Sequence, residues 1–293
     1  MASMWSLGGA SIRDLLRRTA RESWEDDVFG RAAQLAFYHF LAIFPVLLML
    51  LIPLTRLARQ GAEMRNMLTG SFRLFLPDQA AALVTGVIGD LNSSARSGDA
   101  LLAGAALGAL WAGINASWAM IAGLNTAYET KEDRGWRRIA GVAIGLGFAS
   151  VAMVFAALLT TDFIRVVAGP SATIAVFAPA VQWGAIVIIL LVSFALFYRF
   201  GPNLKRPEWQ WSTPGALFGV MLWVGLTLLI RAYFNRFASY QHIYGRLAAT
   251  AVLMIWLYAT SATVLIGAEL NSEIEKAAKG QSAGSARESS SRP

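Results

Sequence analysis

The sequence predicts an all-α integral membrane protein: a six-transmembrane-helix bundle with a cytoplasmic N-terminal amphipathic helix and short extramembrane helices in the first outer loop. Three observations predict it. Of the 293 residues, 56% are hydrophobic and only 15% are charged, against about 25% charged in a soluble domain. The apolar residues come in long blocks, and runs of about twenty with few charges have the length of a spanning helix. The alternating strands of a membrane barrel are absent, and a helix is the other way to satisfy a backbone in lipid.

Residues 1–30 form a cytoplasmic segment without an apolar signal core or a small-residue cleavage site, so no cleaved signal peptide is expected. Ser11 is a plausible N-cap for a helix with Ile12, Leu15 and Leu16 on one side and Arg13, Arg17, Arg18 and Arg21 on the other. Such a helix lies on the cytoplasmic membrane face or packs as an ordinary helix against the bundle.

The membrane domain, residues 31–275, contains six apolar segments. They run from Leu35 to Leu57, Ala100 to Asn125, Ile139 to Thr161, Val181 to Phe200, Pro214 to Phe234, and Leu247 to Leu270. Pro170 and Pro179 suggest a short re-entrant or interfacial piece before the fourth. In the first outer loop Leu83, Val84, Val87, Ile88 and Leu91 make a helical stripe after Pro77, a good first-turn residue. The Ser-, Gly- and charge-rich tail, 276–293, is expected to be disordered. Sixteen Lys and Arg residues fall on the side of the termini and nine on the other. Both termini are therefore placed in the cytoplasm.

The net charge of +7 fits this loop bias and contact with anionic lipid better than nucleic-acid binding. There is no cysteine, so disulfides and thiolate chemistry are excluded. The only histidines are His39 and His242, and no hydrolase, metalloprotease or P-loop motif occurs. The expectation is a non-enzyme with no catalytic residue, no metal and no cofactor.

Within the second span, Gly104, Gly108, Trp111, Asn115, Asn125 and Glu129 share one helical arc of about 80°. That pattern serves either close helix packing or a polar line toward the cytoplasm. Similar small-residue spacings occur at Gly141 and Gly145, and at Gly215 and Gly219. With the termini inside, the first, second, fourth and sixth spans place polar residues at one depth. These are Tyr38, His39, Asn125, Tyr128, Glu129, Arg199, Asn203, Glu269 and Asn271, and with Tyr258, eleven residues from Glu269 on the same face of the sixth span, they make a candidate inner polar or transport cluster. Glu269 either marks the cytoplasmic edge of its span or, as expected, takes a paired role with Arg199, which ends the fourth span at that depth, beside Asn125 and Glu129 at the end of the second. Asp162, Arg165, Arg231, Arg236 and Tyr244 make a candidate outer ring, for which interfacial anchoring is an equal explanation.

Several stretches in order resemble the YihY/BrkB family of bacterial inner-membrane proteins, also labelled ribonuclease BN-like. They are "AAQLAFYHFLAIFPVLLML" from Ala32, "LNTAYE" from Leu124, "YRFGPN" from Tyr198, "WSTPGALFGVMLW" from Trp211, and "YGRLAATAVLMIWLYATSATVLIGAELN" from Tyr244. The resemblance covers about residues 30 to 275 and implies six spans with cytoplasmic termini. Its motifs fall on Tyr38, Pro45, Asn125, Tyr128, Pro202, Asn203, Pro214, Gly215, Tyr244, Gly245, Gly267 and Glu269. The chain departs from them at Phe37, His39 and Ala42, where Tyr, Ser or Thr is usual.

The expected function is a transporter or exporter of a small polar solute or a lipid-like amphiphile. A non-transporting envelope protein for structure or assembly is the alternative, and a membrane-associated ribonuclease a distant one. The expected partners are membrane lipids and that unidentified substrate, with no nucleic acid and with a homo-oligomer allowed.

Overall fold

The structure is a computed structural model that describes residues 7, 9–56, 80–82, 85–86, 99–168, 172–204, 213–236 and 239–290. Seven helices are described: α1 (Ile12–Glu25), α2 (Val28–Arg56), α3 (Asp99–Ala127), α4 (Trp136–Ala168), α5 (Ala172–Phe200), α6 (Pro214–Arg236) and α7 (Ser239–Ser290). No strand occurs among the described residues. Among the described residues, four stretches are long and apolar enough to cross a membrane: Ala106–Ala127, Ala180–Phe200, Pro214–Phe234 and Leu247–Gly280. α2 and α4, of 29 and 33 residues, occupy the places of the first and third expected spans.

The core explains why α7 is central. Leu35 of α2, Leu124 of α3, Phe194 and Tyr198 of α5, Val220 of α6 and Leu265 of α7 pack into one buried cluster. α4 joins at one side, through Ile139, Ala143 and Leu146 against Ile121. The outward faces stay apolar, with Phe148, Ile188 and Leu229 exposed. Apolar surface on this scale is a face for lipid or protein rather than for water.

Two glycine spacings differ in use. A Cβ on Gly219 would meet Phe194 at 2.8 Å and the Thr263 carbonyl at 2.9 Å, so α6 and α7 touch backbone to backbone there. Gly141 and Gly145 face open space within 4 Å and form no such contact. Above the crossing the same helices are tied by tryptophans. Trp223 Nε1 donates to Thr260 Oγ1 at 3.0 Å, Trp256 Nε1 donates to Thr227 Oγ1 at 3.3 Å, and the two rings meet edge-on.

α1 begins after Ser11, whose side chain makes no capping hydrogen bond. The three apolar residues expected on one side of it do not share one environment. Leu15 is buried against Leu270 and Ile274 of α7, whereas Ile12 and Leu16 are exposed. α1 therefore packs on the bundle through Leu15, Thr19 and Ser23, a stripe spaced by four.

Other boundaries differ from expectation. α7 continues as helix to Ser290, where a disordered tail is expected from Lys276 onward. The start of this extension has a physical basis: Ile274 is buried against α1, and Lys276 bonds Glu273 one turn back at 2.7 Å. Pro179 falls inside α5, while Pro170 lies outside the described residues. The stripe Leu83, Val84, Val87, Ile88 and Leu91 also lies outside them; Ala80 and Ala81 beside it are helical and buried.

Candidate functional site

At the end of the bundle that carries α1, the expected inner cluster resolves into three arrangements. The first is a knot around Asn125. α3 ends with Glu129 in the left-handed backbone region, at φ 49°, which L-residues seldom adopt. The turn closes when Thr130 N–H donates to the Asn125 carbonyl at 2.8 Å. The Asn125 side chain then serves both chemistries of its amide. Its Oδ1 accepts from the Asn203 backbone N–H at 2.8 Å and from Thr130 Oγ1 at 3.2 Å, and its Nδ2 donates to Glu132 Oε2 at 2.8 Å.

Arg134 extends the knot. It grips Glu132 with two nitrogens at 2.8 and 2.6 Å, and donates to the carbonyls of Phe200 at 3.3 Å and Gly201 at 2.8 Å. The two-pronged Arg134 contact holds the Glu132 carboxyl down at about 2. Asn203 Nδ2 closes the ring on the Lys131 carbonyl at 2.9 Å and on Asp133. Loop 128–135 is thereby fixed to the end of α5.

The second arrangement is a cap. Asn271 Oδ1 accepts from Gly215 N–H at 2.9 Å, and its Nδ2 donates to Thr213 Oγ1 at 2.9 Å. Thr213 in turn accepts from Ala216 N–H at 3.1 Å. α7 thus supplies a side chain that caps the first turn of α6.

The third contains the carboxylates. Glu129 Oε1 receives Lys276 Nζ at 2.8 Å, and Lys276 also holds Glu273. Glu269 is 1% exposed, and its Oε1 has no hydrogen-bond partner among the described residues. The charged groups acting on it are Asp26, Lys276, Glu22 and Glu273. The cation in that set is Lys276. Arg199, the expected counter-charge, stands half-buried in the last turn of α5. Asp26 is itself pushed up, first by burial and then by Glu22 and Glu129. Tyr128 faces Asn271, and burial raises its phenol.

Of the remaining expected residues, Tyr38 packs on the core cluster and against the Phe37 ring. His39 on α2 and Tyr258 on α7 are half-buried. In the second-span arc, Asn115 donates to the Trp111 carbonyl of its own helix at 2.7 Å, and Gly108 sits against Pro45. In the outer ring, Arg231 is half-buried on α6 and Arg236 is exposed in its last turn. The side chains of Asp162, Arg165 and Tyr244 lie outside the described ones.

The model of the family "Virulence factor BrkB" matches residues 19–291. The chain belongs to that family. It is 28% identical to the ribonuclease-like protein YfkH of Bacillus subtilis over 257 residues, 85% of this chain and 91% of YfkH. It is also similar to UPF0761 membrane proteins: 38% identical over 82 residues to one from Pseudoalteromonas translucida, covering 28% of this chain and 27% of that one. A Vibrio cholerae relative is 36% identical over 87 residues, 30% of this chain and 29% of its own length. No solved structure matches.

In this BrkB family member the sequence motifs meet at two places. Gly215, Gly267 and Tyr198 build the three-helix crossing, where Tyr198 Oη donates to the Val264 carbonyl at 2.7 Å. Asn125 and Asn203 build the knot. Glu132, Asp133 and Arg134 were not legible as its members, since they lie in a short polar loop and reach partners across as many as 70 residues.

Proposed function

We propose that this BrkB family membrane protein is a six-span transporter or exporter of the bacterial inner membrane, with both termini in the cytoplasm. Its substrate is a small polar solute or a lipid-like amphiphile. One observation carries this reading: Glu269, an acid inside an apolar helix, is buried with an unpartnered oxygen and faces Asp26 and Glu22. A carboxylate kept for structure is hydrogen-bonded or paired, and ionisable groups at membrane depth mark pathways. Glu269→Gln is expected to insert and accumulate as wild type and to lose complementation of a deletion phenotype. Full complementation at wild-type abundance would refute the transport role of this carboxylate.

The second reading, a non-transporting envelope protein, is favoured by the three amides. Asn125, Asn203 and Asn271 each serve fixed backbone partners, which is what structural polar contacts look like. On either reading the protein is a non-enzyme.

Sidedness has its own test. Reporter fusions after Lys131, Lys205 and Lys276 should report cytoplasm, and fusions near Ser94 and His242 the far side. An inverted pattern, or an odd number of crossings, overturns the topology.

A further inference from the structure

We propose that Glu269 is a proton-binding site at the junction of α1 and α7, reached from the α1 end past Glu22 and Asp26, and that its proton is the coupling ion of the transporter. The use of the proton rests on the transport reading above; the proton site itself does not.

The geometry is that of a carboxyl group without a cation of its own. Glu269 is buried, and its Oε1 has no partner among the described residues. Two more buried oxygens without a partner there, Thr19 Oγ1 and Ser23 Oγ, lie on the face of α1 that packs on the bundle. The titratable groups acting on Glu269 are Glu22 from α1, Asp26 from the turn before α2, and Glu273 and Lys276 from α7 itself, and Glu269 acts in turn on Tyr128 in the turn after α3; α6, which packs on α7 at Gly215, brings none there. The ammonium of Lys276 is already committed to Glu129 and Glu273, at 2.8 and 2.7 Å. Glu269 therefore sits among acids, with a cation already occupied by others.

A buried carboxylate in that setting is stable when it carries a proton. A metal ion does not fit as well, because no group of three acidic or histidine side chains among the described residues converges to hold one. A proton needs a single oxygen. The step is simple: a carboxylate oxygen of Glu269 takes a proton from hydronium on the α1 side, the O–H bond forms, and water is left behind. Asp26, outside the spans and raised by burial and by Glu22, is placed to receive that proton first.

The test is infrared difference spectroscopy on the full chain in lipid vesicles, wild type against Glu269→Gln, as a function of pH. The expected result is a protonated-carboxyl stretch in the wild type at pH 7 that shifts in heavy water, disappears at alkaline pH, and is missing from the variant. In Asp26→Asn the same band should persist, with its disappearance moved to lower pH by about one unit, the effect of removing one neighbouring negative charge. This second variant leaves Glu269 in place, so a folding failure of the first does not hide the answer. The absence of a Glu269-dependent band at pH 7, or a pH dependence indifferent to Asp26→Asn, overturns the proposal. If the band is found and Glu269→Gln still complements fully, the proton site stands and its use in transport falls.

Discussion

Gly215→Leu is expected to abolish the accumulation of folded protein, whereas Gly225→Leu on the same helix leaves it unchanged. A Cβ on Gly215 would strike the Gly267 carbonyl and approach the Asn271 amide carbon at 2.6 Å. Neither neighbour can yield cheaply. The first is backbone, and the second is already bonded to Gly215 N–H and Thr213. From the other helix, a Cβ on Gly267 would meet the Gly215 carbonyl at 2.6 Å and the Tyr198 hydroxyl. Leucine must therefore separate α6 from α7.

Overpacking of this kind costs about 1–3 kcal/mol. Losing the Asn271 cap adds about 1–3 kcal/mol for each polar group left buried and unpaired. Those terms together are a large part of the stability of an ordinary domain. Gly225 faces open space, so it controls for the added bulk. Fluorescence-detected size exclusion and a melting curve in detergent decide the matter. A Gly215→Leu protein as stable as Gly225→Leu would show that the crossing is not the clamp it looks like.

The helices of the bundle were legible because apolar runs of spanning length leave few alternatives. The Gly215 and Gly219 spacing was legible as a packing seam, and it is one; the same spacing at Gly141 and Gly145 meets nothing. Spacing states where a close approach is allowed, and only a partner helix decides whether it occurs. The shared depth of Asn125 and Asn203 was legible too, and they are hydrogen-bonded. Their chemistry was not. Reading depth alone groups Glu269 with Arg199, but depth does not say which way each helix turns, and the cation acting on Glu269 is Lys276, beyond the expected end of the span.

The same gap between depth and chemistry makes Asn125 the sharper probe of structure against function. Asn125→Asp is expected to destabilise the protein strongly, and adding Glu132→Gln to recover part of the loss. The wild-type amide accepts from Asn203 and Thr130 with its oxygen and donates to Glu132 with its nitrogen. Aspartate keeps the acceptor but turns the donor into a second carboxylate oxygen against Glu132. Two like charges then meet where a hydrogen bond stood, beside an Arg134 whose side chain is 7% exposed. Loss of a buried hydrogen bond leaves about 1–3 kcal/mol of unsatisfied polar group, and the like-charge contact adds to it. Glu132→Gln returns a donor to the pair, while the new aspartate keeps a negative charge near Arg134. The rescue is incomplete because the glutamine amide offers Arg134 one oxygen where the Glu132 carboxylate offers two. Melting curves of the four proteins give the coupling between the two positions. Additive losses would mean that the knot is not the contact that matters at Asn125. Recovered stability without recovered complementation would mean that its amide also takes part in transport.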